Sequence, residues 1–352
     1  MTGVTAPIVT SPDELTAEWL SATLGTHVET VAATPVGTGQ IGTCYRLELS
    51  GTAVPQRLLA KLPAADPATR EMLSGVYRSE ARFYTDLAST VAVRSPHCHY
   101  AAISDSGADF TLLLEDMSPA QQGDQLAGCS VAQARDAVVN LAGLHGPRWC
   151  DPTLLDVDGL SVNGPDDAKL LAELYGPATD IFIDALADKL SVDDQSTLRD
   201  CVEVAQVWAC GRPQRFGLVH GDYRLDNLLF PPDGGPGVVA IDWQTLSLAL
   251  PARDLAYFIG TSLAPDLRRE HESDLVARYH GALTEHGVTD YGIDDCWDDY
   301  RFAMIQGPLI SVFGCAYGTR TDRGDAMFAA MVSRSCAAIR DLDTLTLARA
   351  AH

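Results

Sequence analysis

Positive charge is scarce in this chain: 25 Lys and Arg stand against 47 Asp and Glu in 352 residues, a formal net charge of −22. Nucleic acids and anionic membrane surfaces are bound through basic patches, so neither is expected as a partner. The acidic excess could favour a cationic substrate, but acids on exposed faces that serve solubility are the plainer account. No apolar run approaches the roughly 18 residues of a membrane span. The stretch Met1–Thr10 has neither a basic n-region nor an apolar signal core, and a cytoplasmic location is expected. Nine cysteines are scattered without a C-x-x-C pair, and an odd number cannot all pair within one chain, so reduced thiols are expected. Repeats and low-complexity tracts are absent. What is present, 46% hydrophobic residues, suffices for about two domains with a core each.

The first third alternates like a β-meander, with strands expected near Val28–Val36, Thr43–Leu49 and Arg57–Leu62. Between the first two lies Gly37-Thr-Gly-Gln-Ile-Gly42. A dinucleotide fingerprint of this form needs a helix directly after it, whereas a strand follows here, which suits a flap over nucleotide phosphates. Gly37, Gly39 and Gly42 are therefore candidate nucleotide-binding positions, against the plainer reading of glycines that satisfy a hairpin turn. Lys61 ends an otherwise apolar strand, either as a snorkelling edge residue or as the lysine that meets the α- and β-phosphates. A helix is expected over about 67–89, with Met72, Val76, Phe83 and Leu87 on one stripe. Glu80 falls inside that stripe, and a carboxylate on a buried face needs a cation, for which Lys61 is the candidate.

Ser95-Pro-His-Cys-His-Tyr100 invites a metal reading, but no matching ligand pair lies nearby in sequence, so ordinary strand residues are expected. Phe110–Met117 is a buried strand ending in acids before Ser118-Pro119. It reads as a hinge between a small β-rich lobe, residues 1–115, and a larger helical one, 116–352. An adenine would stack beside the main chain of this hinge, near Glu115 and Met117. Beyond it, helices are expected at about 131–144, 166–186, 192–209, 254–263, 266–286, 294–314 and 324–345. His145, near a helix C-terminus, is taken as a structural histidine.

Leu218-Val-His-Gly-Asp-Tyr-Arg-Leu-Asp-Asn-Leu-Leu-Phe230 and Val238-Val-Ala-Ile-Asp-Trp243 place apolar strands on either side of a polar loop and bring Asp222, Asn227 and Asp242 to one end of a small sheet. This is a phosphoryl-transfer layout. A kinase catalytic loop sets an Asp and an Asn five positions apart, with a further metal-binding acid on the next strand. The order and spacing of Asp222, Asn227 and Asp242 match.

Together with Arg253-Asp-Leu-Ala256, these motifs resemble the aminoglycoside phosphotransferase and choline kinase group of small-molecule kinases, nearest to its ecdysteroid-kinase-like bacterial members. The resemblance implies an α+β, two-lobed protein-kinase-like fold and ATP- and Mg²⁺-dependent phosphorylation of a small-molecule hydroxyl by a monomer or homodimer. It implies Asp222 as catalytic residue, Asn227 and Asp242 as metal ligands, and Lys61 with Glu80 as the pair aligning the phosphates. Asp254 would cap the catalytic loop and His220 would orient it. Arg224 could hold phosphate or make a surface ion pair. Only eleven residues separate Asp242 from Asp254 and no Ala-Pro-Glu follows, so a protein substrate is not expected. Asp298 and Asp299 form either part of a solvated, dipole-favoured helix start or a charged wall of the acceptor site. A nucleotide-binding regulatory module and a metal-dependent hydrolase remain alternatives.

Overall fold

A computed structural model describes residues 7–37 and 42–351, which divide into two compact units. The first comprises residues up to Ser89, then Ser95–Pro119 and Asp242–Thr245. Its framework is an antiparallel five-stranded sheet in the order β1-β2-β3-β5-β4, built from β1 (Val28–Val36), β2 (Gly42–Gly51), β3 (Arg57–Pro63), β4 (Cys98–Ile103) and β5 (Phe110–Glu115). Side chains alternate across a strand. Leu58, Ala60 and Leu62 of β3 accordingly join Leu113 and Leu47 in one core, where α1 (Ala17–Leu24) contributes Trp19 and Leu20. Lys61 falls on the opposite face.

That face is covered by α3 (Ser74–Arg82) and a π-helical turn, Phe83–Leu87, while α2 (Pro67–Met72), which buries no residue, leads into them. The single helix expected over 67–89 is thus broken. Leu73, at φ −93° and ψ 4°, interrupts it ahead of Ser74-Gly75, a pair with poor helix propensity. The expected stripe fails at its start for the same reason: Met72 is 77% exposed, and the buried face begins at Tyr77 and continues through Glu80, Ala81, Phe83, Tyr84 and Leu87. Phe83 stacks on Trp243 at a centroid distance of 3.5 Å.

The second unit is mainly helical. It contains β6 (Gln121–Gln122), α4 (Val131–His145), α5 (Pro165–Ala185), α6 (Val192–Ala209), β7 (Gly217–Val219), β8 (Leu228–Phe230), β9 (Val239–Ala240) and β10 (Ser247–Ala249), then α7 (Ala252–Ser262), α8 (Pro265–Glu285), α9 (Ile293–Phe302), α10 (Gln306–Tyr317), α11 (Asp322–Asp341) and α12 (Thr344–Arg349). Two small ladders, β7 with β10 and β6-β8-β9, bracket the loop Val219–Leu228. Every residue of α7 is buried. The helix expected over 294–314 divides at a 3-10 turn, Ala303–Ile305, because Pro308 lacks an amide hydrogen and fits best in the first turn of a new helix. The last expected helix also divides, at Asp343, which adopts φ 55°.

The N-terminal segment is pinned to the sheet by one hydroxyl. Thr111 Oγ1 accepts from Val9 N–H at 2.9 Å and donates to Val9 C=O at 2.7 Å, with Thr111 wholly buried. Thr111→Val keeps the shape and strands both groups of Val9, so it is expected to lower unfolding free energy by about 1–3 kcal/mol in a urea titration. An unchanged midpoint would mean that the segment does not dock.

Candidate active site

In the first unit, Lys61 Nζ lies 2.8 Å from Glu80 Oε1, 2.7 Å from Glu80 Oε2 and 3.1 Å from Asp242 Oδ1. β3 supplies the lysine and α3 the glutamate, and both are buried. Gln244 Nε2 donates to Glu80 at 3.3 Å. Burial works against the Lys61 charge, but Glu80 and Asp242 outweigh it and hold the ammonium protonated beyond its usual range. Burial pushes the Glu80 carboxyl up, against the pull of Lys61. Asp242 stands at φ 67°, a left-handed conformation that Asp tolerates better than most residues, and its side chain remains 39% exposed.

The glycine-rich turn is described only at its ends. Gly37 has φ 72°, and a Cβ on Gly42 would lie 2.8 Å from the Leu62 carbonyl oxygen, which explains glycine at both positions on backbone grounds. Gly39 lies outside the described residues. At the end of β5, Glu115 N–H donates to the His97 carbonyl at 2.8 Å, and its exposed side chain lines an open groove with Arg57, His97, His99 and Asp116. Met117 is half-buried, and its main-chain groups carry no hydrogen bond among the described residues.

In the second unit the loop after β7 is held by one carboxylate. Asp254 Oδ2 accepts from His220 N–H at 2.6 Å and Oδ1 from Gly221 N–H at 2.9 Å. His220 Nδ1 accepts from Asp222 N–H at 3.3 Å, so Nε2 carries the proton and donates to the Ile241 carbonyl at 3.0 Å. Asp222, with a 23% exposed side chain, receives Tyr257 OH on Oδ1 at 2.7 Å, and on Oδ2 both Asn227 Nδ2 at 2.9 Å and Arg224 Nε at 3.1 Å. Asn227 Nδ2 also donates to the Asp222 carbonyl at 2.9 Å, which fixes the amide and leaves its Oδ1 as an oxygen donor. Ile241 N–H donates to the Asn227 carbonyl at 3.0 Å, and the next residue along the chain is Asp242.

The Arg224 guanidinium also reaches Asp226 Oδ2 at 3.1 Å, so the loop itself holds it through two carboxylates. His145 Nδ1 lies 2.7 Å from Tyr279 OH and its Nε2 3.4 Å from Asp254, deep in the core. Asp299 does not face an acceptor: it is fully buried, bonded to Arg212 at 3.0 Å, to Arg215 at 2.5 Å and to Tyr291 OH at 3.0 Å. Asp298 pairs with Arg212 and Arg301. Asp299 is thus locked in a buried ion-pair cluster whose cations, Arg212 and Arg215, come from more than 80 residues away in sequence, while Asp298 stays partly exposed.

Two contributors were not legible in the motifs. Tyr257 lies one helical turn after Asp254, and its inward phase was the only available signal. Gln125, read as a loop residue, is buried and braces the loop by donating its N–H to Asp226 at 2.9 Å and accepting Leu225 N–H at 2.8 Å. Asn227 Oδ1 in the second unit and the Asp242 carboxylate in the first are each hard oxygen donors, of a kind that suits Mg²⁺ better than a soft ion. No cluster of three or more His, Cys, Asp or Glu with metal-holding geometry occurs among the described residues.

Residues 178–289 match the family model of the ecdysteroid kinase-like family. The resemblance carried by the motifs holds. Among curated proteins, acyl-CoA dehydrogenase family member 10 of Mus musculus is 48% identical over 46 residues, 13% of this chain and 4% of that protein. Family member 11 of Homo sapiens is 42% identical over 41 residues, 12% of this chain and 5% of that protein. The chain thus spans only about one twentieth of the length of the curated relatives it matches. A choline kinase of Cryptosporidium parvum aligns with TM-score 0.59 at 8% identity, covering 90% of this chain and 91% of that one. An aminoglycoside 2′-phosphotransferase in complex with GDP aligns with TM-score 0.52 at 15% identity, covering 87% and 92%. At such identities these structures establish the fold, which is the two-lobed protein-kinase-like one with a small sheet lobe and a larger helical lobe.

Lys61 and Glu80 are expected to behave as one unit. Lys61→Met or Glu80→Leu alone leaves a buried charge uncompensated and should cost about 3–5 kcal/mol of stability. The double mutant should cost far less than the sum, with at least about 1 kcal/mol of coupling in an unfolding cycle. Additivity within about 0.5 kcal/mol would show that the two charges do not interact.

Proposed function

We propose that the protein is an ATP- and Mg²⁺-dependent phosphotransferase that moves the γ-phosphate to a hydroxyl of a small molecule. The observation that carries this reading is the Asp222–Asn227 couple, in which one amide pins the carboxylate and presents an oxygen of its own. The family match and the fold support a small-molecule kinase.

Asp222 accepts or orients the proton of the attacking hydroxyl. Phosphoryl transfer through a loose transition state asks mainly for positioning, which a carboxylate held by three donors supplies. Tyr257 fixes its Oδ1 edge. Lys61, kept charged by Glu80, would meet phosphate oxygens, and Asn227 and Asp242 would be the metal ligands. When bound, Mg²⁺ would neutralise charge on the phosphate oxygens. The main chain near Glu115 and Met117 would receive the base, and the ends of the glycine-rich turn, Gly37 and Gly42, are the candidate phosphate-side positions.

An ADP-release screen over choline-like alcohols, aminoglycosides, sugars, sterols and hydroxy acids, with GTP run beside ATP, tests the reading. A phosphorylated acceptor supports it. Phosphate release without one points to a hydrolase, and nucleotide binding with no turnover over the whole library points to a regulatory module.

With an acceptor in hand, Asp222→Ala should lower kcat at least about 10²-fold while nucleotide affinity stays within about twofold, because the group acts on the acceptor. Wild-type kcat in this variant would remove Asp222 from the chemistry. Tyr257→Phe should lower kcat roughly tenfold with KM for the nucleotide unchanged, since only the aim of the carboxylate is lost. A rise in nucleotide KM with kcat intact would instead assign Tyr257 to nucleotide binding.

A further inference from the structure

Arg323, Met327 and Met331 stand at i, i+4 and i+8 of α11 and so share one face of that helix. Within the second unit this face meets the loop that carries Asp222, and it reaches the two carboxylate oxygens by separate routes.

The first route is apolar. Met327 and Met331 form a buried cluster with Tyr257, whose hydroxyl donates to Asp222 Oδ1 at 2.7 Å. Close packing leaves the ring little room, so the methionine side chains help to set where its hydroxyl points. The second route is ionic. Arg323 Nη1 donates to Asp226 Oδ2 and its Nη2 to Asp226 Oδ1, both at 3.3 Å, as a fork on a fork, and Nη2 also reaches Asp124 Oδ1 at 3.4 Å. Asp226 Oδ2 accepts in addition from Arg224 Nη1 at 3.1 Å, and Arg224 Nε donates to Asp222 Oδ2 at 3.1 Å. Met327 Sδ lies 3.1 Å from the same Arg224 Nη1. Asp222, Arg224, Asp226 and Arg323 therefore alternate in sign along one chain of contacts.

Arg323 is 57% exposed, and an isolated ion pair at such a position would contribute little. Asp226 makes the difference, because its side chain is only 12% exposed and it shares Arg224 with Asp222. Without the fork from Arg323, the Asp226 charge would be met by Arg224 and the Gln125 N–H alone, and it would draw Arg224 away from Asp222.

We propose that Arg323 is a positioning residue for phosphoryl transfer: by neutralising Asp226 it leaves Arg224 on Asp222 Oδ2, so that α11 aims both oxygens of the carboxylate. The inference rests on the reading of Asp222 as the group that meets the acceptor hydroxyl.

Two readouts on the full chain decide it, and the first needs no turnover. In proton–nitrogen correlation spectra the Arg224 Nε–H signal, assigned by its absence in Arg224→Lys, should exchange with solvent roughly tenfold faster in Arg323→Gln and more slowly again in Arg323→Lys. With an acceptor, Arg323→Gln should lower kcat roughly fivefold at unchanged nucleotide KM, and Arg323→Lys should recover most of the loss. Arg224→Gln combined with Arg323→Gln should cost no more than Arg224→Gln alone, as links of one chain require. Arg320→Gln removes an exposed arginine three residues earlier that pairs with Asp325, and it should leave both readouts unchanged. An Arg224 Nε–H that exchanges at the wild-type rate in Arg323→Gln overturns the proposal. A loss of kcat that Arg320→Gln reproduces overturns it as well, because the effect would then belong to the start of the helix. A wild type that phosphorylates no acceptor removes the reading of Asp222 and the role in transfer with it, whereas faster exchange at wild-type kcat in Arg323→Gln overturns this inference alone.

Discussion

The helical unit is organised by the demand of two adjacent backbone amides for an anion. Where β7 ends, the N–H groups of His220 and Gly221 have no strand partner left, and an unpaired buried donor costs about 1–3 kcal/mol. Asp254 satisfies both at once, one with each oxygen. That single carboxylate dictates much of what surrounds it. It must sit at the start of a fully buried helix, α7, and its remaining lone pairs draw in His145, which in turn meets Tyr279 of α8. Three helices are thereby referenced to the loop that carries Asp222. The loop then completes its own wiring through His220, which spans from the Asp222 amide to the Ile241 carbonyl.

The sheet unit solves a related problem with opposite charges. Lys61 sits on the α3 face of a strand whose neighbours are apolar, and it is tolerable there only because Glu80 arrives from α3. Gln244 occupies one glutamate oxygen, and Asp242 gives the ammonium a second anion that is partly open to solvent. One cation shared by a buried and a half-exposed carboxylate is an asymmetric arrangement. The buried partner fixes the lysine, while the exposed one keeps an edge free.

Legibility in the sequence followed the range of the interaction. Asp222 and Asn227 are close in sequence, and their five-residue spacing already placed them on one loop, where the Asn227 amide meets the Asp222 carboxylate. Glu80 was legible through helical phase, since a carboxylate in an apolar stripe implies a buried cation. The helix itself was overextended, because periodicity counted Met72 as apolar while the local cost of Ser74-Gly75 set the true break. Asp299 failed for another reason. Four acids among ten residues look like a surface, and nothing local reveals that Arg212 and Arg215 will cover one of them. Gln125 acts through long-range hydrogen bonds to the loop that leave no periodic trace, and Tyr257 left only its inward helical phase.

The left-handed backbone at Asp242 sets backbone strain against charge pairing at one position. Glycine would relieve the strain and lose the carboxylate, and asparagine would keep the backbone habit while discarding the charge that faces Lys61. The aspartate therefore marks a position where the chain retains a less comfortable residue, and either substitution would leave the buried ammonium of Lys61 to Glu80 alone.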